Sequence, residues 1–473
     1  MNRKSLPVLQ DEPTNLLPPK VVKGSLRADG TRERIVPADV HGRFARGRIV
    51  AFVGLIGLWV VLPWVRVAGH PAVFLDIETR RFFVFGATFN AQDTWLLFFL
   101  LTGVGFGLIY VTALFGRMWC GWACPQTVFL DVYRRVERLI QGPREVQLRR
   151  DAREDGGFDR LWRKAATHAV FLVLSFLIAH IVLAYFVSMP GIVSMVRGSP
   201  SAHPEAFAWA AAVTGVLYFN FAFFREQLCL AICPYGRLQS TLIDQDSIMI
   251  GYDQKRGEPR GKAKDPDAGA CVDCNRCVVV CPTGIDIRNG LQIDCVACTA
   301  CIDACDDIMD KLQRPRGLIR YSSTRALGEG PTRWLRPRVV IYSVLLVAGC
   351  IAAALAFRTH EDFEANLLRL QGPPYVFVGG DIEDSFEVHI VNKEPYTRTY
   401  DLRAEADSPA AAFVMPIQSV DVRELEGKRV PVFVSVKKSA YRGDFEVRVH
   451  IAPHDGKDPE HVVTARFLGT RGG

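Results

Sequence analysis

Apolar and polar positions are segregated along this chain. Five stretches, Ile49–Val65, Trp95–Gly116, Ala166–Val187, Ala206–Phe224 and Val339–Phe357, are almost free of charge. A helix that crosses a bilayer needs about 20 mostly apolar residues, so the pattern predicts five transmembrane α-helices. Ile49–Val65 is the shortest, and Trp59 and Trp64 extend it into the membrane interface. Beyond Pro373 the period changes to two, over Tyr375–Val378, Ser385–Val391, Thr397–Ala404, Arg429–Val436, Asp444–Ile451 and Val462–Phe467. Short alternating strands separated by Gly, Pro, Asn and Asp predict a β-sandwich of about 100 residues. Gly251–Ala270 is polar, with several Gly, Lys and Pro, and reads as a linker. Residues 1–46 are polar and contain Pro; they read as a disordered tail rather than a cleavable signal peptide.

Charge adds a direction. The 473 residues carry a net +7, and the Lys and Arg alternate between loops. Residues 1–48 hold ten, 117–165 eleven and 225–337 sixteen, against three in 66–94 and Arg197 alone in 188–205. Positive residues stay on the cytoplasmic side, so the N-terminus is expected in the cytoplasm and everything after Phe357 across the membrane. Basic residues that flank membrane spans do not call for nucleic acid. There is no G-x-G-x-x-G turn or P-loop to support nucleotide binding.

Cysteine placement carries the chemistry. Twelve of the 13 Cys lie between Cys120 and Cys305, and none lies beyond Cys350. Cys271-Val-Asp-Cys274-Asn-Arg-Cys277-Val-Val-Val-Cys281-Pro282 is followed, after thirteen residues, by Cys295-Val-Ala-Cys298-Thr-Ala-Cys301-Ile-Asp-Ala-Cys305. This is the C-x2-C-x2-C-x3-C run of two-cluster bacterial ferredoxins, in which the fourth Cys serves the other cluster. Cys271, Cys274, Cys277 and Cys305 are therefore expected to hold one [4Fe–4S] cluster, and Cys281, Cys295, Cys298 and Cys301 the second. Zinc knuckles fit poorly, since no His lies between His203 and His360. Asp306, not Pro, follows Cys305. The stretch 271–310 holds seven Asp against two Arg, a solvated face or a steering surface for a basic redox partner.

A weak internal repeat adds a second pattern. Two spans lead to Cys120-Gly-Trp-Ala-Cys124-Pro125, and two more to Cys229-Leu-Ala-Ile-Cys233-Pro234. On a helix, i and i+4 share a face, and Pro after the second Cys suits a break. Four converging thiolates would suit Cu(I), zinc or an iron–sulfur centre; buried inert cysteines are the plain alternative. His180 falls near the middle of the third span, where an ionisable group draws suspicion as a metal ligand; packing is the plainer role. Cys350 reads as packing.

Several of these segments together resemble the FixG/CcoG (RdxA) family: Cys271–Asp306 with Cys281-Pro-Thr-Gly-Ile-Asp-Ile-Arg-Asn-Gly290, Leu75–Gly86 in the first outer loop, Trp119–Pro125 and Cys229–Gly236. The resemblance runs from about residue 30 to the C-terminus. It implies a bacterial inner-membrane accessory protein for assembly of cbb3-type cytochrome oxidase, with a dicluster ferredoxin module and a periplasmic immunoglobulin-like domain. It further implies cupric reductase activity supplying Cu(I) to the oxidase. The expected partners are copper-handling and oxidase assembly proteins, a cytoplasmic electron donor and membrane lipid, with a second copy of the chain as a further candidate. The expected organisation is a cytoplasmic tail over 1–46, four spans with the C-x-x-x-C-P motifs over 47–250 and a cytoplasmic ferredoxin domain over 251–315. A linker and fifth span follow over 316–357, then a periplasmic sandwich over 358–473. Cys120, Cys124, Cys229 and Cys233 are the expected copper and redox site, with His180 as a further ligand candidate. Two rivals are a quinol-linked membrane ferredoxin and a scaffold that docks oxidase subunits.

Overall fold

The structure is a computed structural model that describes residues 35–469, apart from short stretches at 68, 78–79, 90–93, 153–156, 329, 359–362, 395, 425 and 457–458. Most of the expected tail, residues 1–34, lies outside the described residues, as do positions 78–79 of the outer-loop motif. The chain divides into two units. One contains the helices and the ferredoxin module; the other contains residues 63–98, 185–188 and the C-terminal sandwich.

Five helices are long and apolar enough to cross a membrane: Arg43–Val61, Phe98–Phe115, Phe158–Val187, Pro204–Phe224 and Pro337–Ala356. Large apolar side chains such as Val50, Leu101, Trp209 and Val344 stay exposed on them, as expected of helices that are apolar all round. Cys350 is exposed on the fifth rather than packed. The first helix departs from expectation. It begins at Arg43, not Ile49, and it ends at Val61, two residues before Pro63, which has no N–H to continue the helix. The early start comes from Asp303, whose carboxylate accepts the Phe44 N–H (3.2 Å) and the Ala45 N–H (2.7 Å). A carboxylate there satisfies orphan donors and favours the positive end of the helix. Gly42 makes the approach possible: a Cβ would lie 2.2 Å from Asp303 Cγ.

The reading of residues 1–46 as a tail is therefore corrected from residue 35 onward. Ala38 N–H donates to Val279 O (3.0 Å), and Arg276 donates to Asp39 O (3.1 Å). Arg144 donates to Val36 O (2.8 Å). Ala38 is buried against Val280 and Ala304.

The ferredoxin module carries two helices, Arg276–Val279 and Ala300–Lys311. An antiparallel strand pair, Met249–Tyr252 with Ile319–Ser322, closes it. Its second strand falls where a linker was expected. Its core contains Ile250, Tyr252, Ile302, Met309 and Ile319, together with the cysteines themselves.

In the second unit, two antiparallel sheets form the sandwich. One runs in the order Ala411–Val414, Gly427–Lys437, Asp381–Asn392 and Phe363–Arg369, with Val376–Val378 also paired to Asp381–Asn392. The other runs Ser419–Val422, Arg398–Ala406, Phe445–Pro453 and His461–Phe467. Asp381–Asn392 alternates half-buried and buried positions from end to end, as a strand with one core face must. Phe386, Val432, Val449 and Phe467 from both sheets meet in one core.

Candidate redox site

The first loop of the ferredoxin module, Cys271 to Cys277, wraps a hollow lined by Cys271, Cys274, Cys277 and the distant Cys305. A second hollow is lined by Cys281, Cys295, Cys298 and Cys301, with Ile250, Ile285 and Val296 around them. The two sets of four are those the spacing predicts. Backbone geometry explains how the loops bend. Asp273 and Asn275 flank Cys274 with φ of 51° and 54°, and Ala297 and Thr299 flank Cys298 with φ of 52° and 64°. Non-glycine residues held in the left-handed region cost energy that the surroundings must offset. Two loops, each with the same two strained positions, share one purpose, to turn three thiols inward.

Arg288 fixes the first loop. Its buried guanidinium donates to Asp286 (2.6 Å), to Asp273 (2.6 Å) and to Asn275 (2.5 Å). Sequence reading missed it, although one of only two Arg in an Asp-rich stretch is a usable signal.

Burial keeps the thiols of Cys277, Cys295 and Cys305 protonated, each pushed up to about 12. Cluster insertion at these positions must therefore release protons. Among the described residues, no three His, Cys, Asp or Glu side chains converge tightly enough for a single ion. Each quartet instead surrounds a hollow, which suits a cluster of several atoms better than a lone zinc. The donor set and the hollows fit two [4Fe–4S] clusters.

The C-x-x-x-C-P motifs are not continuous helices. Cys120 lies in a short helix, Met118–Trp122, and Cys124 is the extended residue (ψ 125°) before helix Pro125–Gln141. Cys229 lies in a π turn, Leu228–Ile232, and Cys233 (ψ 113°) precedes helix Pro234–Leu242. Pro at the first helical position suits the new helix, so each pair straddles a break instead of sharing one helix face. The breaks still leave the four near one another, though among the described residues no three of them are close enough to hold a single ion as they stand. Burial raises the Cys120 thiol, and Cys124 and Cys233 add to the rise, while Gln239 and Arg117 oppose it. Cys229 is pushed up to about 12, first by burial and then by Cys124, Cys120 and Cys233. Fully buried Gln239 donates from Nε2 to Cys120 Sγ (3.3 Å).

This group packs on the second quartet. A Cβ on Gly121 would lie 2.1 Å from Ala297 O, so the cysteine turn and the Cys295–Cys298 loop meet backbone to backbone. Buried Arg117 donates to Cys295 O (3.2 Å) and to Gly236 O (2.9 Å), and so joins both motifs to that loop. Arg48 donates to Gly121 O (3.1 Å). Trp122 Nε1 donates to the Tyr321 hydroxyl (2.9 Å), and Phe44 packs edge-on against both rings. Sequence reading found the cysteines but missed Gly121 and Gln239, and it gave Arg117 no role in the site. His180 is not gathered into this group. Its Nδ1 bonds Phe176 O (2.8 Å) on its own helix, and its ring lies against Phe176.

Comparison with known proteins agrees with this layout. A 4Fe-4S dicluster domain family matches residues 224–324, and a 4Fe-4S binding domain family matches 96–143. The Ig-like fold at the C-terminus of FixG matches 353–470. The chain is 33% identical over 451 residues to nitrogen fixation protein FixG of Rhizobium meliloti, covering 86% of this chain and 85% of that one. It is 35% identical over 398 residues to protein RdxA of Cereibacter sphaeroides, covering 80% and 83%. A solved FixG-related protein from Vibrio parahaemolyticus aligns with 23% of this chain and 97% of its own, at 14% identity and a TM-score of 0.21. With helices able to cross a membrane, iron–sulfur domains and an Ig-like end, the chain belongs to the FixG/RdxA family of iron–sulfur electron-transfer proteins.

Proposed function

We propose that this protein reduces Cu(II) to Cu(I) at Cys120, Cys124, Cys229 and Cys233, and that the Cu(I) supports assembly of a cbb3-type cytochrome oxidase. The observation that carries this reading is the backbone contact of Gly121 with Ala297, with Arg117 bound to Cys295 O and Gly236 O. It puts four soft thiols against the cysteine loop from which electrons would come. When bound, two [4Fe–4S] clusters supply one-electron redox chemistry, one held by Cys271, Cys274, Cys277 and Cys305, the other by Cys281, Cys295, Cys298 and Cys301.

The chain's own residues do the rest. The half-buried thiols at Cys120 and Cys229 lose their protons as copper binds, and Arg117 offsets the charge they gain. Each Cu(II) takes one electron to become Cu(I), the ion that sulfur favours. Loop charges support a bacterial inner-membrane orientation, with the cysteine groups in the reducing cytoplasm and the cysteine-free sandwich in the periplasm, where it would meet oxidase assembly partners. Cys124→Ser and Cys233→Ser test the reading. Both variants should keep full iron content and lose at least about tenfold in Cu(II) reduction rate, a barrier change of about 1.4 kcal/mol. Full activity in both would contradict it.

A further inference from the structure

A cavity of about 310 Å3, lined by none of the cysteines, lies beside the second quartet. That volume is at the lower end of those that take organic ligands. Lys164, Thr167, His168 and Phe171 line it from one face of helix Phe158–Val187, at the spacing i, i+3, i+4, i+7. Its opposite wall is a π turn, Asn220–Phe224, followed by Arg225 with a left-handed φ of 52°. π turns and strained residues concentrate at functional sites.

The lining is mixed in a specific way. The His168 ring stacks on Phe223 at 5.5 Å, and its Nδ1 bonds the Tyr218 hydroxyl at 3.0 Å. Buried Glu137 pairs with Arg225 (3.1 Å). Thr283 also lines the cavity, and its Oγ1 lies 3.4 Å from Cys281 Sγ. Aromatic walls, two proton-accepting groups and a side chain touching a cysteine of the second quartet thus share one space at a membrane helix.

We propose that this cavity binds and oxidises a quinol, a membrane-soluble donor of two electrons and two protons. The inference rests on the proposed electron flow through the two quartets. Both quinol O–H bonds break and the ring becomes the quinone. One proton passes to the His168 imidazole and one to the Glu137 carboxylate, and both go on to water. The two electrons would leave past Thr283, which touches Cys281; the two quartets would hold the one-electron acceptors for them, and in the proposed reaction two Cu(II) take them up. Lys164 and Arg225 would also attract a lipid phosphate, but the acids Glu137 and Glu226 in the same lining oppose an anion.

The test uses cluster-loaded protein in lipid nanodiscs, without oxygen and without copper. Decylubiquinol and menadiol are mixed with it in turn, and cluster reduction is followed by absorbance and electron paramagnetic resonance. At least one should reduce the clusters with a saturable rate that a hydroxyquinoline N-oxide blocks. His168→Phe and Glu137→Gln should each slow that reduction at least about a hundredfold, the lower end of effects for lost proton acceptors, while dithionite still reduces their clusters completely. Calorimetric binding of decylubiquinone should weaken in His168→Phe as an independent readout. Thr167→Phe, which fills the cavity without removing a proton acceptor, should block quinol in the same way. No reduction by either quinol, equal rates in all variants, or a retained phospholipid that quinol does not displace would overturn the proposal. Copper reduction by dithionite-reduced wild-type protein is read separately, so failure of the donor site and failure of the copper reading are told apart.

Discussion

The ferredoxin module and the C-terminal sandwich solve the problem of a core in opposite ways. The sandwich buries Phe386, Val388, Ile390, Val432, Val434 and Val449 completely, and it contains no Cys. Its strands supply their own apolar face, and burial at about 25 cal/mol per Å2 does the stabilising. The ferredoxin core is smaller and includes Cys271, Cys277, Cys295, Cys301 and Cys305. In its cysteine loops, four non-glycine residues in the left-handed region raise its cost. A core that packs around hollows and strained loops depends on what fills the hollows. The same chain therefore carries one region that folds by apolar burial and one whose folding is tied to its cofactors.

The sharpest way to break this contrast is to remove the clusters. Chelation after oxidation should abolish hydrogen-exchange protection across 271–310 and leave Asp381–Asn392 protected. Equal loss in both would end the distinction. The next largest effect is expected from Phe386→Ala, which should cost the sandwich about 3–5 kcal/mol. Iron content and the cluster spectrum should not change, as thermal unfolding followed beside iron analysis would show.

A smaller structural effect with a larger functional one is expected from Gly121→Ala. The new methyl meets Ala297 O and must push the two backbones apart, at about 1–3 kcal/mol. Clusters should remain, while electron delivery to Cu(II) slows at least about tenfold, measured by stopped-flow absorbance.

The smallest effect is electrostatic. His454 and Asp401 are hydrogen-bonded at 2.7 Å on the sandwich surface. The bond raises the His454 pKa above its ordinary 6.5 and lowers that of Asp401 below 3.8. Stability from the raised histidine is complete below pH 6.5 and fades as pH rises through its folded value. Stability from the lowered aspartate is complete above pH 3.8 and fades as pH falls through its folded value. The pair thus acts between about pH 4 and 6.5, weakly and in a salt-sensitive way because both groups are exposed. Asp401→Asn should flatten a slight rise in sandwich melting temperature over that window.

Chemistry was more legible in the sequence than placement. The cysteine spacing alone divides eight thiols into the two sets that line the two hollows, because a short loop can turn only its own three cysteines inward. The five spans were legible because a bilayer demands long uncharged runs. Strand alternation revealed most of the sandwich, but Phe363–Arg369, Ala411–Val414 and Ser419–Val422 were missed, two of them too short to show a period. The docking of residues 35–42 was hidden because the segment contributes mostly main-chain groups, the carbonyls of Val36 and Asp39 and the Ala38 N–H, which leave little code in its own side chains. The contact of Gly121 with Ala297 was hidden for a similar reason: a glycine with ordinary dihedrals gives no sign of the carbonyl beside it.

The proposed reaction carries electrons from the two quartets to copper at Cys120, Cys124, Cys229 and Cys233. Its most direct test is a single turnover. Cluster-loaded wild-type protein is reduced, freed of reductant and mixed with excess Cu(II) without oxygen, and cluster reoxidation is followed while Cu(I) is trapped. Rapid reoxidation with about two Cu(I) per chain, one per cluster, is expected, since each [4Fe–4S] centre gives up one electron. Slow reoxidation, or reoxidation without matching Cu(I), would contradict it.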